Sequence, residues 1–199
     1  MPAWQPLLDW WFGSATRAVA VAAQRNTLWF GYRAEQDEQA RQCFGEQCAQ
    51  ALAGGLRDWA EQPQGWLALL LLLDQLPRMI HRGSAQAFAG DAQARVLLGE
   101  GMARDFIQHL PPIQQVFAGL VLEHAEDLDA QNQAVAHFTR LHDGCSAEER
   151  KLFAGFLDFA VRHQRVIARF GRFPHRNDSL GRVSTADELA FLRQPGSRF

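Results

Sequence analysis

The stretch Ser146-Ala-Glu-Glu-Arg-Lys-Leu-Phe-Ala-Gly-Phe-Leu-Asp-Phe-Ala-Val-Arg-His-Gln-Arg-Val-Ile-Ala-Arg-Phe170 has the spacing of a long amphipathic helix. Ser146 and Glu149 read as a capping box that opens it. Phe153, Phe156, Ala160, His163, Ile167 and Phe170 then recur at three and four, so they share one face and His163 points inward. Working outward, the same punctuation recurs. Asp127 to His142 continues the helical pattern up to Gly144, with Leu128, Gln131, Val135 and Phe138 as its stripe. Pro111-Pro112 divides a short helix from the next, and Ser84 opens a helix running to about Gly99. Gln64 to about Leu76 is the most apolar helix, Ala34 to Ala53 stops at Gly54-Gly55, and Trp4, Leu7, Leu8, Trp11 and Phe12 form a short helix ended by Gly13. Thr185-Ala-Asp-Glu188 is a second capping box, opening the last helix. No alternating β-branched run is present. The expected fold is all-α, a single helical domain over 1–199.

The 199 residues carry 47% apolar and 21% charged side chains, which excludes a largely disordered chain. A formal charge of -2 gives no overall attraction to nucleic acid or to an anionic membrane, so any anion binding has to be local. The apolar run Trp66 to Leu73 is far shorter than the ~20 residues that span a bilayer. Cys43, Cys48 and Cys145 show neither a disulfide framework nor zinc spacing, which suits reduced thiols in the cytoplasm. The N-terminus lacks a basic region followed by an apolar run, so no secretory signal is expected. Nothing calls for a cofactor, and with HExxH absent no metal site is expected.

Chemistry concentrates near the C-terminus. Between Arg162 and Arg182 lie six arginines, two histidines and a single acid, Asp178, around chain-reversing Gly171, Pro174 and Gly181. Convergent guanidinium groups suit an anion or buried carboxylates, because arginine presents a rigid fork of donors. Asp74 ends the Leu-rich run and needs a partner there, with Pro77 interrupting the helix before Arg78 and Arg82. Asp37/Arg41, Asp74/Arg78, Asp91/Arg95, Glu100/Arg104 and Asp158/Arg162 stand in the favourable order for helix ion pairs.

Trp10-Trp-Phe-Gly13, Leu73-Asp-Gln-Leu-Pro-Arg78, His81-Arg-Gly83, Ala87-Phe-Ala-Gly-Asp91, Glu123-His-Ala-Glu-Asp127 and the run Phe170-Gly-Arg-Phe-Pro-His-Arg-Asn177 with Leu180-Gly-Arg182 resemble the bacterial domain-of-unknown-function family 924. The resemblance covers most of the chain. It implies an all-helical fold similar to the tetratricopeptide-repeat-like superhelix and brings no established activity. The chain departs from the family pattern at Leu76, Met79 and Ala125.

Two functional readings follow. In the first, Asp74, Arg78, Arg82, Gln131, Arg169, Arg172, Arg176, Asn177 and Arg182 line a site for a small anionic molecule, and His124, His163 or His175 with Glu126 transfers a proton. In the second, a non-catalytic helical scaffold binds a peptide or protein partner and the arginine-rich turn is a structural lock. The first predicts unpaired donors, the second complete internal pairing.

Overall fold

A computed structural model describes residues 1–197, and among these every regular element is helical. The first three helices are α1 (Gln5–Phe12), α2 (Ala18–Phe30) and α3 (Ala34–Leu52). Of these α2 is not foreseen from the sequence, because its start carries no side-chain cap and its Ala-rich run has little periodicity. Tertiary burial of Val21, Ala22, Leu28 and Trp29 supplies what the local signal lacks. The indole of Trp29 donates to the Trp11 carbonyl at 2.9 Å, and Trp11, Phe12 and Trp29 close edge-on around Phe117.

The chain then enters α4 (Pro63–Leu70), where nearly every side chain is buried. Contrary to the expected break at Pro77, the helix continues through a π-helical turn (Leu71–Gln75) into α5 (Leu76–Ile80). Proline explains the widening. In an α-helix the Pro77 ring would meet the Leu73 carbonyl and no N–H would be available to bond it. In the wider turn, Leu76 N–H reaches back five residues to Leu71 O. The displaced carbonyls find other neighbours. Cys48 Sγ–H donates to Leu72 O at 3.4 Å, and burial pushes that thiol up to about 11. Leu73 O lies against Gly90, where any added Cβ would sit 2.0 Å from it, so only glycine fits.

A short 3-10 helix (Ala85–Phe88) precedes α6 (Asp91–Ala103), so the helix expected from Ser84 begins seven residues later. Pro112 opens α7 (Pro112–Glu123), which ends immediately before His124. Asp127 caps α8 (Leu128–Gly144) through Ala130 N–H at 2.8 Å. Leu128, expected on the buried stripe, is 46% exposed, whereas Gln131 and Phe138 are fully enclosed. The long helix α9 (Arg150–Phe170) packs back along α8. It starts four residues after Ser146, whose hydroxyl still donates to Glu149. Gly171 stops α9 in the left-handed conformation, φ +69°, and its N–H bonds Ile167 O. A turn through Pro174–Arg176 leads to α10 (Ala186–Leu192), where the Thr185/Glu188 capping box is present in both halves. One large apolar cluster joins α1 to α9, and a satellite of Val166, Ile167 and Phe173 lies under the C-terminal turn.

Candidate functional site

The π-helical turn aims Asp74, 1% exposed, at the loop between α7 and α8. There Nδ1 of His124 lies 2.8 and 2.9 Å from the two carboxylate oxygens of Asp74. Gln75 Nε2 donates to the same carboxylate at 2.6 Å, and Arg78 approaches it at 3.2 Å. Arg78 also donates to Asp74 O and grips Asp91 through two bonds of 2.8 and 3.0 Å. Burial by itself would raise the Asp74 carboxyl, but Arg78 and His124 outweigh it and hold the group well below the usual carboxylate range. Burial, followed by the charge of Arg78, lowers the His124 imidazole below its ordinary value. Asp74 is therefore ionised and His124 neutral near pH 7, so Nδ1 carries the proton and donates it to the carboxylate. Nε2 of His124 makes no hydrogen bond among the described residues, and the side chain retains 16% exposure.

Arg176 stands beside this pair. Its guanidinium lies between the rings of Phe88 and Phe173, 4.7 and 4.6 Å from their centroids, and reaches Asp91 at 3.3 Å. Burial and then Arg78 lower it to about 10, so it remains a cation at neutral pH. Its Nε is buried with no hydrogen-bond partner among the described residues. His175 packs on Phe173 and is pushed down to about 3, by burial first and then by Arg176, His163 and His124. His163 points inward as expected. Its Nδ1 lies 3.0 Å from Glu123 Oε1 and 2.9 Å from Phe159 O. The second oxygen of Glu123 is buried without a hydrogen bond among the described residues. Two carboxylate–histidine pairs thus meet at the end of α7, on the consecutive residues Glu123 and His124.

The other residues singled out in the sequence go elsewhere. Glu126 is occupied by Arg182, at 2.6 and 2.8 Å, and by the Phe173 N–H at 2.7 Å. Arg172 forks onto Glu188 at 2.6 and 2.8 Å, and Asn177 ties Ser184, Glu188 and Arg182 together. Arg82 forks onto Asp37 and stacks on Tyr32, and Arg169 is exposed and stacks on Phe170. Gln131 caps the end of α7, its amide donating to Glu123 O and Ala125 O. Sequence reasoning gives Glu188 a capping role alone. Its second role, as counter-ion sixteen residues from Arg172, has no local signal. Among the described residues no three His, Cys, Asp or Glu side chains gather as metal ligands.

Glu188 makes the C-terminal turn acid-sensitive. Arg172 holds its carboxyl down at about 2 against an ordinary 4.5, with burial opposing and the Thr185 N–H assisting. A depressed folded value means that the stabilisation is complete above about pH 4.5 and is lost as the pH falls toward 2. Glu126 is shifted in the same direction. The melting temperature is expected to fall across that window, less steeply in Glu188→Gln. A wild-type profile as shallow as the variant's would reject the assignment.

The family model described as "Bacterial protein of unknown function (DUF924)" matches residues 7–196. The chain belongs to this family. The DUF924 chain is also similar to a solved structure, the protein of unknown function ATU0120 from Agrobacterium tumefaciens. The two share 32% identity at a TM-score of 0.73, over 89% of this chain and 99% of that one. No curated protein matches the DUF924 chain. Among its described residues no helix is long and apolar enough to cross a membrane.

Proposed function

We propose that the Asp74–His124 pair, with Arg176 beside it, is a proton-transfer site acting on a small anionic substrate. The observation that carries this reading is the buried Asp74 carboxylate on Nδ1 of His124, which leaves Nε2 uncommitted. In such a pair the carboxylate orients the ring and fixes its tautomer. When Nε2 takes a proton from the substrate, the same carboxylate stabilises the imidazolium. Burial, with the charge of Arg78 second, keeps the resting imidazole neutral, so the base is available near pH 7. Arg176, with an unsatisfied Nε, is the donor for the anionic group. The π-helical turn that delivers Asp74 agrees, since such turns recur at functional sites. The reading takes 1–199 as one folding unit in the cytoplasm.

The scaffold reading keeps one observation in its favour. Arg172 and Arg182 are each fully occupied by a carboxylate, which makes most of the arginine-rich turn a lock. A tetratricopeptide-like concave face would then bind a peptide.

Titration with phosphate, sulfate and small carboxylates, followed by histidine NMR and melting temperature, separates the two. The enzyme-like reading expects one such anion to shift the His124 resonances and, at ~100 times its dissociation constant, to stabilise by ~2.7 kcal/mol. Arg176→Lys, which keeps the charge and loses the fork, should weaken that response about tenfold. If no anion moves His124, or if Arg176→Lys binds as well as wild type, the proposal fails.

A further inference from the structure

A cavity of about 250 Å³ opens between α6, α7 and α8, lined by residues outside the Asp74–His124 site. Its floor is apolar, formed by Leu98, Ile107 and Leu122, with Met102 at 38% exposure. Its α8 side presents His137 and, one helical turn further, Arg140. Gln133 is the third polar side chain of the lining, and the two titratable ones differ in what they have left to offer. Nε2 of His137 is committed to Gln115 O at 3.0 Å. Burial lowers that imidazole and the nearby charge of Arg140 adds to the effect, so the ring is a neutral wall. Arg140 is exposed and makes neither an ion pair nor a hydrogen bond among the described residues. This sets it apart from Arg78, Arg82, Arg172 and Arg182, each of which forks onto a carboxylate.

We infer that this cavity binds a short-chain monocarboxylate, its apolar body against Leu98, Ile107 and Leu122 and its carboxylate on Arg140. The lining residues hold one ionised side chain and no acid, which selects a single negative charge. The volume lies just below the ~300 to 1,000 Å³ of pockets that enclose drug-sized molecules, which limits the occupant to fragment size. A polarisable, unbranched Met102 at the edge lets the apolar wall adjust to chains of different shape. Adjacent close packing fixes the back of the cavity: a Cβ on Gly119 would meet His137 Cδ2 at 2.6 Å, so α7 and α8 approach this closely only because position 119 is glycine.

Hexanoate is the probe, with hexanol as its uncharged counterpart, and the readout is the Met102 methyl and His137 ring resonances of the full chain. Hexanoate should shift both signals saturably, and hexanol should do so at least about tenfold more weakly, since it lacks the charge-assisted bond. Arg140→Gln should weaken hexanoate by a similar factor and leave the melting temperature at neutral pH nearly unchanged, because Arg140 makes no hydrogen bond or ion pair among the described residues and His137 is already neutral there. Ala136→Trp, placed on the lining of the cavity, should abolish both shifts. The inference is overturned if hexanoate shifts neither signal, if Arg140→Gln binds it as tightly as wild type, or if Ala136→Trp leaves binding intact. These signals lie apart from His124, so the outcome is independent of the proton-transfer proposal.

Discussion

Asp74→Ala is expected to lower the free energy of unfolding by about 3 to 5 kcal/mol, the range for removing one partner of a buried ionic pair. Three groups depend on this carboxylate. His124 Nδ1–H and the Gln75 amide lose their acceptor, and Arg78 retains Asp91 but loses the second charge it is buried against. Asp74→Asn provides the control. An amide oxygen can still accept from His124, so the expected loss is smaller, about 1 to 3 kcal/mol. Urea unfolding of the three proteins measures both. A midpoint in Asp74→Ala equal to that of wild type would mean that the carboxylate is not enclosed as described.

Phe173→Ala is expected to cost about 3 to 5 kcal/mol, the usual loss for truncating an enclosed phenylalanine. The ring is fully buried, sits edge-on to His163 at 5.4 Å and backs the guanidinium of Arg176. With Val166 and Ile167 it is the apolar centre of the C-terminal turn. The substitution leaves the main-chain bonds of residue 173 to Glu126 and Arg182 available, so the loss reports on the ring's packing and its contact with Arg176. A change below about 1 kcal/mol would show that the satellite cluster repacks around the gap.

The helices were legible where the signal is local. The stripe from Phe153 to Phe170, the stop at Gly171 and the box at Thr185 depend on spacing and on caps, which a single sequence carries. The ion pairs were less so. Asp74–Arg78 and Asp158–Arg162 form as their spacing suggests. Asp37, Asp91 and Glu100 instead reach Arg82, Arg78 and Arg57, the first two through forks and the third through a single bond, because tertiary neighbours compete with the next turn of helix. For the same reason the site was only half visible. Asp74, His124, His163 and Arg176 can be named from composition and punctuation. That Glu123 would face His163, and that Phe88 and Phe173 would enclose Arg176, depends on how α7, α9 and the last turn dock.

The π-helical turn at Leu71–Gln75 also has an evolutionary meaning. It holds one residue more than a regular helix of the same rise, so it behaves as a single-residue insertion. Deleting one residue there would narrow the turn and swing Asp74 by about 100° relative to the flanking helices, which would keep their places. Asp74 would then leave the side on which it meets Arg78 and His124. Two members of this family could therefore share the helical order and superimpose closely, yet differ in whether this constellation exists. The number of residues between Trp66 and Pro77 is therefore the length to compare between this chain and its relatives.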